Sequence, residues 1–290
     1  MSFKVVVDSA SDIPLDKATL AGIITVPMPV TIDGQTFLEG VNLQTKDFYE
    51  QFDNFKDLPK TSQPNPNTLL EQYERILSEG HEVVAIHLSS GLSATVSTAR
   101  MVRGMTSVPE RVHIIDSLGA SFGYGLLALS AQSLIESAVS WEEAKKRILE
   151  CRNNMRYVFT LDTLEYLVKG GRVSKPVGFI GGLLDVKPVL HFTPQGTIEP
   201  FAKVRTRRAA IRKLVDVMEQ EINDPEQQVV GISHSTCLDD AHALVNEIRQ
   251  RIKVKDIWIS EIGCVVGSHT GPGTLALFYS TRNKSSQLHP

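Results

Sequence analysis

The run VVAIHLSSGLSATVSTA, Val83 to Ala99, constrains this chain more than any other stretch. Its first six residues, Val83 to Leu88, are mostly apolar and stop at Ser89, Ser90 and Gly91, the pattern of a buried parallel strand ending in a tight turn. From Leu92 onward the pattern permits a helix, with Ser93 near its start. Such a junction leaves backbone N–H groups at the sheet's carboxyl edge, beside the positive end of a helix dipole. An anion seat, with the hydroxyls of Ser89, Ser90 and Ser93 as further donors, is one reading of the turn. A hydroxyl-rich cap on a helix is the other.

The same alternation recurs on both sides. Phe3–Val7 reads as a short strand followed by the turn DSASDIP, with Pro14 suited to a first helical turn. Ile23–Ile32 reads as one strand, which Pro27 and Pro29 place at an edge or in an irregular position. Thr45–Asn54 reads as a helix capped by Thr45. Asn67–Glu79 reads as an amphipathic helix with Leu69, Leu70, Tyr73, Ile76 and Leu77 on one face. Between them KTSQPNP, Lys60 to Pro66, is a polar loop whose prolines hold the Thr61 and Ser62 hydroxyls at little entropic cost. With a further strand at Arg111–Ile115, this order implies a Rossmann-like parallel sheet covered on both faces.

Beyond it, Tyr157–Asp162, Val186–Phe192, Val229–His234, Asp256–Ile262 and Thr274–Tyr279 read as strands, with helices at Arg205–Asn223 and Leu238–Arg251. The expected architecture is α/β with two domains. Residues 1–155 carry the parallel sheet, 156–282 a mixed or antiparallel one, and 283–290 form a flexible tail.

A chain of 290 residues, 42% hydrophobic and 22% charged, has globular composition and enough length for two cores. Thirty basic against thirty-three acidic residues give −3, which argues against nucleic acid or an anionic membrane as a global partner. Cys151, Cys237 and Cys264 are widely spaced with no metal-type pair, as expected in a reducing cytoplasm. Met1–Ala10 lacks the basic-then-apolar pattern of a signal peptide. Ser117–Ile135 is uncharged for nineteen residues, nearly a membrane span, but it is diluted by serines, Gln132 and three glycines. A buried helix is the expected outcome.

Several short motifs compete for a chemical role. GASFG, Gly119–Gly123, matches the G-x-S-x-G of a hydrolase elbow, with Ser121 as nucleophile and Asp239 and His269 downstream. The preceding strand ends several residues early, and no oxyanion loop of the usual kind comes before it. GYGLLA, Gly123–Ala128, satisfies G-x-G-x-x-A but falls inside a helix rather than before one. Arg205 to Arg208 reads as a solvated helix start or a basic patch. In GCVVGSHTGPG, Gly263–Gly273, an irregular glycine-rich loop presents His269 and Thr270. A lone histidine there is as readily structural as functional.

Five segments taken together, DSASDIP at Asp8–Pro14, TSQP at Thr61–Pro64, SSGLS at Ser89–Ser93, GGRVS at Gly170–Ser174 and GSHTGPG at Gly267–Gly273, resemble the signature segments of the DegV family. These are bacterial fatty-acid-binding proteins, and some serve as the acyl-carrying subunit of fatty acid kinase. The resemblance runs from residue 3 to about 282. It implies a long-chain fatty acid as ligand, with neither a catalytic residue nor a cofactor or metal. Thr61 and Ser93 would hold the carboxylate, with Ser62, His269 and Thr270 nearby. The partner implied is the ATP-binding kinase subunit, for which Arg172 and Arg205 are candidate contacts. Ala94 and Val96 stand where many members have Gly and Tyr.

An acyl tail needs a dry tube, and the uncharged Phe122–Ile135 and Val177–Leu184 segments are candidates to line it. About fourteen methylenes at roughly 0.8 kcal/mol each contribute on the order of 11 kcal/mol before ordering costs. The tail would then supply most of the affinity and the head group the orientation. A serine hydrolase using Ser121 and a lipid-sensing module without a kinase stay open as alternatives.

Overall fold

The computed structural model describes residues 2–137, 140–173 and 186–281. Its first half runs β1 (Phe3–Asp8), α1 (Leu15–Leu20), β2 (Ile24–Val26), β3 (Pro29–Ile32), β4 (Gln35–Leu38), α2 (Thr45–Glu50), β5 (Lys60–Thr61), α3 (Pro66–Ser78), β6 (Glu82–His87), α4 (Thr95–Arg103), β7 (Val112–Asp116), α5 (Phe122–Ser137) and α6 (Trp141–Asn154). The strands β2-β1-β6-β7 form a parallel sheet. Strand periodicity divides their side chains between two cores. Val5, Val7, Val84 and Ile86 join α5, while Val6, Val83 and Ala85 join Leu69, Tyr73 and Ile76 of α3. α3 starts where the sequence places it, because Asn65 accepts from the Asn67 N–H and Pro66 opens the first turn.

Three local expectations are corrected. Ile23–Ile32 is two strands, because Pro27 and Pro29 have no N–H to give. After Val26 the chain leaves the parallel sheet, and β3 pairs antiparallel with β4 and β5 in a small separate sheet. Gln44, without a side-chain bond, precedes α2, and Thr45 is its first helical residue. α4 begins at Thr95 rather than Leu92, and Ser93 Oγ accepts from the Thr95 N–H at 3.2 Å.

The second half runs β8 (Met155–Thr160), α7 (Glu165–Lys169), β9 (Lys187–Phe192), β10 (Ile198–Val204), α8 (Arg207–Glu221), β11 (Val229–His234), α9 (Leu238–Arg251), β12 (Asp256–Glu261), α10 (Cys264–Thr270) and β13 (Leu275–Ser280). Its mixed sheet has the order β10-β9-β8-β13-β11-β12, with β11 and β12 parallel and the other pairs antiparallel. β10 escapes a reading of the sequence because Pro200 interrupts it; the register shifts between Pro200 and Ala202 to accommodate the ring. The expected tail, 283–290, lies outside the described residues.

Among the described residues no helix is long and apolar enough to cross a membrane. α5 is instead packed between the sheets, against β1 and β6 on one side and β8, β11 and β13 on the other. Its first half, Phe122–Ala128, is wholly buried. This packing explains the glycines of both short motifs. A methyl at Gly119 would lie 2.2 Å from Tyr157 Oη, and one at Gly123 would lie 2.2 Å from Tyr157 Cε1 and 2.7 Å from Phe278 Cδ1. Gly123→Ala should therefore cost about 1–3 kcal/mol through overpacking. A lower urea midpoint at unchanged m-value is the expected reading, and an unshifted midpoint would show that the ring yields freely.

Candidate functional site

Between the inner face of the mixed sheet and the carboxyl end of the parallel one lies a cavity of about 310 Å³. Phe159, Phe192 and Phe278 line it from β8, β9 and β13, while their alternating neighbours Val158, Val189 and Leu277 pack toward α8 and α9. Ile198 and Leu167 extend the apolar wall. The expected tail-lining segments fare differently: Phe122–Ile135 does not line this cavity but fills the core beside it, and Val177–Leu184 lies outside the described residues.

All five residues expected at a head group, Thr61, Ser62, Ser93, His269 and Thr270, line this one cavity. Thr61 reaches it because β5 pairs with β3, Thr61 opposite Val30. Its Oγ1 lies 2.7 Å from His269 Nε2. Burial, and then the positive charge of Arg172, pull His269 down to about 4, so the imidazole is neutral at neutral pH with a single ring proton. Its Nδ1 is buried without a partner, and Gly170 backs the ring so closely that a methyl there would lie 2.5 Å from Nδ1. Ser93 Oγ lies 2.8 Å from Thr95 Oγ1. The Thr270 hydroxyl is committed to the Val266 carbonyl at 3.3 Å, and Ser62 is exposed.

Arg172 belongs to the same wall. It follows α7 half-buried, donating from Nη1 to the Gly170 carbonyl at 2.6 Å and from Nε to the Leu92 carbonyl at 3.2 Å. Among the described residues no acid forms an ion pair with it, and burial pulls its guanidinium down from its ordinary value. A partly desolvated cation without a counterion is costly, and an anionic ligand would offset that cost. Arg172, a candidate contact for the kinase partner by resemblance, is placed by the fold on the cavity wall. Arg205 is exposed after β10 and does not line the cavity.

In the turn after β6 only Ser93 of the three serines lines the cavity, and most of the turn's N–H groups have partners within the protein. The N–H groups of Ser89, Ser90, Gly91, Leu92, Ser93 and Thr95 are taken by Gly119 O, Asp116 Oδ1, Ser89 Oγ, Ser89 O again for both Leu92 and Ser93, and Ser93 Oγ. Ser89 is fully buried and donates its hydroxyl to Gly196 O at 2.8 Å, tying the parallel sheet to the β9–β10 turn. The hydrolase constellation does not assemble. Ser121 has a left-handed φ of 55° before α5, as an elbow serine would, but its hydroxyl lies 2.5 Å from Asp12 Oδ2 and 3.1 Å from Ser233 Oγ. His269 bonds Thr61 instead, and Asp239 is exposed on α9.

The expected loop at Gly263–Gly273 is largely the helix α10, whose last turn carries His269 and Thr270. Glycines at 263, 267, 271 and 273 argue for a loop. Two buried carboxylates from distant segments override them: Asp12 Oδ1 accepts from Gly263 N at 3.0 Å, and Glu39 Oε1 from Val265 N at 2.9 Å. Gly267 is small because a methyl there would lie 2.3 Å from Tyr49 Oη.

Fold and site thus define a three-sheet α/β protein enclosing an apolar cavity with a localised polar, cationic wall. The chain belongs to the DegV family, a family of uncharacterised proteins whose model matches residues 2–282. It is 33% identical over 282 residues to a DegV domain-containing protein of Clostridium perfringens, covering 96% of this chain and 97% of that one. It is also 33% identical over 278 residues to protein DegV of Bacillus subtilis, covering 96% and 98%. Among solved structures, a fatty-acid-binding DegV family protein from Thermus thermophilus superposes with a TM-score of 0.90 at 29% identity, over 97% of this chain and 100% of the other. The crystal structure of DegV, a fatty acid binding protein from Bacillus subtilis, gives 0.84 at 32% identity, over 97% and 100%.

Proposed function

We propose that this protein binds a long-chain fatty acid in the cavity, its tail against Phe159, Phe192 and Phe278 and its carboxylate toward Thr61, Ser93 and Arg172. The observation that carries the reading is the Arg172 guanidinium, unpaired with any described acid, on the wall of an otherwise apolar cavity. A carboxylate is acceptor-only, so its seat must supply donors. In the tautomer of neutral His269 with its proton on Nε2, the ring donates to Thr61 Oγ1 and leaves the Thr61 O–H to point at the ligand. Ser93 Oγ accepts from Thr95 N, and with the Thr95 hydroxyl as the donor in their 2.8 Å contact the Ser93 O–H is left for the ligand. The fatty-acid-binding relatives support a fatty acid as the ligand.

In the fuller reading the protein does no bond-making of its own and presents the acid to a cytoplasmic fatty acid kinase. A carboxylate oxygen attacks the γ-phosphorus of ATP held by that partner, ADP leaves, and the acyl phosphate formed serves phospholipid synthesis. Exposed Arg205 is the contact proposed for the partner.

Mass spectrometry of a denatured extract of the purified protein should reveal a long-chain fatty acid. The double variant Thr61→Ala, Ser93→Ala should fold normally and retain about tenfold less of it, since each lost hydrogen bond is worth about 0.5–1.5 kcal/mol. Lipid-free protein that also fails to take up added fatty acid would refute the binding reading. Lipid binding without acyl phosphate on reconstitution with the kinase would leave binding intact and remove the kinase role, in favour of a lipid sensor.

A further inference from the structure

The mixed sheet has two edges, and they differ. β10 is interrupted by Pro200, where its register with β9 shifts, and such a break discourages pairing with another chain. β12 carries no proline, glycine or bulge, and it runs in unbroken parallel register with β11 along its whole length. Among the described residues no strand pairs with its outer side. Asp256 N and Ile262 N donate to Gln228 O and His234 O, so by alternation the backbone groups of Ile257, Ile259 and Glu261 point outward. The Ile257 N–H is taken by Asp256 Oδ1 at 2.8 Å. Those of Ile259 and Glu261 have no partner among the described residues, and Ile257, Trp258 and Ile259 are each only partly buried.

Charge is divided between the two ends of this strand. At its start Arg249, Lys253 and Lys255 line a pocket of about 520 Å³. Lys253 lies 3.2 Å from Glu226, while Arg249 and Lys255 form no ion pair with a described residue. Asp256, the acid among them, spends its carboxylate on Ile257 N and, at 2.7 Å, on Trp258 Nε1. At the other end Glu261 is exposed and likewise in no ion pair with a described residue. A lysine at a sheet edge ordinarily discourages a neighbouring strand. Here the far end of the same strand supplies the counter-charge.

We propose that β12 pairs antiparallel with β12 of a second copy of this chain, about a two-fold axis at Trp258. This pairing sets Lys255 opposite the partner's Glu261 and Glu261 opposite the partner's Lys255, so that each end of the edge neutralises the other. Parallel pairing would instead align like charges at both ends. The Ile259 N–H reaches the partner's Ile257 carbonyl and the Glu261 N–H the partner's Lys255 carbonyl, each bond occurring twice. The Trp258 rings meet across the axis beside Lys17 of α1, whose Nζ lies 3.7 Å over the ring. Leu20, one turn beyond Lys17 and 87% exposed, extends the apolar contact. β12 contributes no residue to the lipid cavity, and the test of this pairing does not depend on whether fatty acid binds there.

Sedimentation velocity over an about 100-fold range of protein concentration tests it, with Lys255→Glu and Glu261→Lys as variants. The native protein should pass from monomer to dimer as concentration rises. Each variant alone places like charges opposite one another at both ends and should weaken dimerisation about tenfold or more. Both substitutions fall on exposed side chains, so the fold is retained. Mixed in equal amounts, the two variants bring opposite charges together at both ends, and a heterodimer of native affinity is expected. A native monomer at every concentration overturns the proposal and leaves the edge to a protein of other sequence. Dimerisation undiminished in both variants overturns it in favour of another face. Weakened variants that do not recover on mixing overturn the two-fold antiparallel pairing.

Discussion

Arg172→Gln should lower the affinity for a long-chain fatty acid by about 10- to 100-fold, the worth of a charge-assisted hydrogen bond of roughly 1.5–3 kcal/mol. Affinity for the fatty alcohol of equal length should change by less than about threefold, because the alcohol carries no charge for the guanidinium to meet. Comparing the two ligands by displacement of a fluorescent acid separates the head-group contribution from any loosening of the wall. Arg172 also holds the Leu92 and Gly170 carbonyls, and the alcohol would report damage done by losing them. Arg172→Lys should fall between, since lysine keeps the charge without the planar fork. Equal loss for acid and alcohol would make Arg172 a structural strut, and no loss for either would place the carboxylate elsewhere.

Asp8→Ala should destabilise the protein by about 3–5 kcal/mol, as does breaking other buried charged networks. Asp8 is wholly buried at the end of β1. Its Oδ2 accepts from Leu88 N at 3.0 Å and lies 3.0 Å from His87 Nδ1, while its Oδ1 accepts from Tyr124 Oη at 2.7 Å. His87 Nε2 in turn meets Tyr73 Oη at 3.0 Å. One carboxylate thus joins β1, β6, α3 and α5 just below the turn that carries Ser93. Alanine would leave several buried polar groups unsatisfied at once, each costing about 1–3 kcal/mol. Tyr124→Phe, which removes only one donor, should cost about 1 kcal/mol. Urea denaturation distinguishes the two, and a loss below about 1 kcal/mol for Asp8→Ala would show that water replaces the carboxylate.

The parts of the site legible in the sequence are those whose local chemistry is self-contained. Thr61 and Ser62 stand out because Pro64 and Pro66 stiffen their loop, and Ser93 because it follows a buried strand. The amide-rich turn offers fewer free donors than its pattern suggests, since six of its N–H groups are taken by Gly119, Asp116 and the turn's own serines. α10 shows the opposite case, a helix where the local pattern suggests a loop. Its glycines weaken a helix locally, and the acceptors that stabilise it, Asp12 and Glu39, come from residues more than two hundred positions away.

The sequence by itself determined the alternation of strands and helices, the apolar periodicity that sends Val5 and Val6 to opposite cores, and which hydroxyls stand beside a strand end. These depend on interactions within a few residues or on a period of two or 3.6. Only the tertiary structure decided that β10 completes the mixed sheet, that Arg172 faces inward, and that His269 meets Thr61. Each of those outcomes rests on burial and on partners brought from far along the chain, and no local pattern encodes the loss of water that gives them their energy.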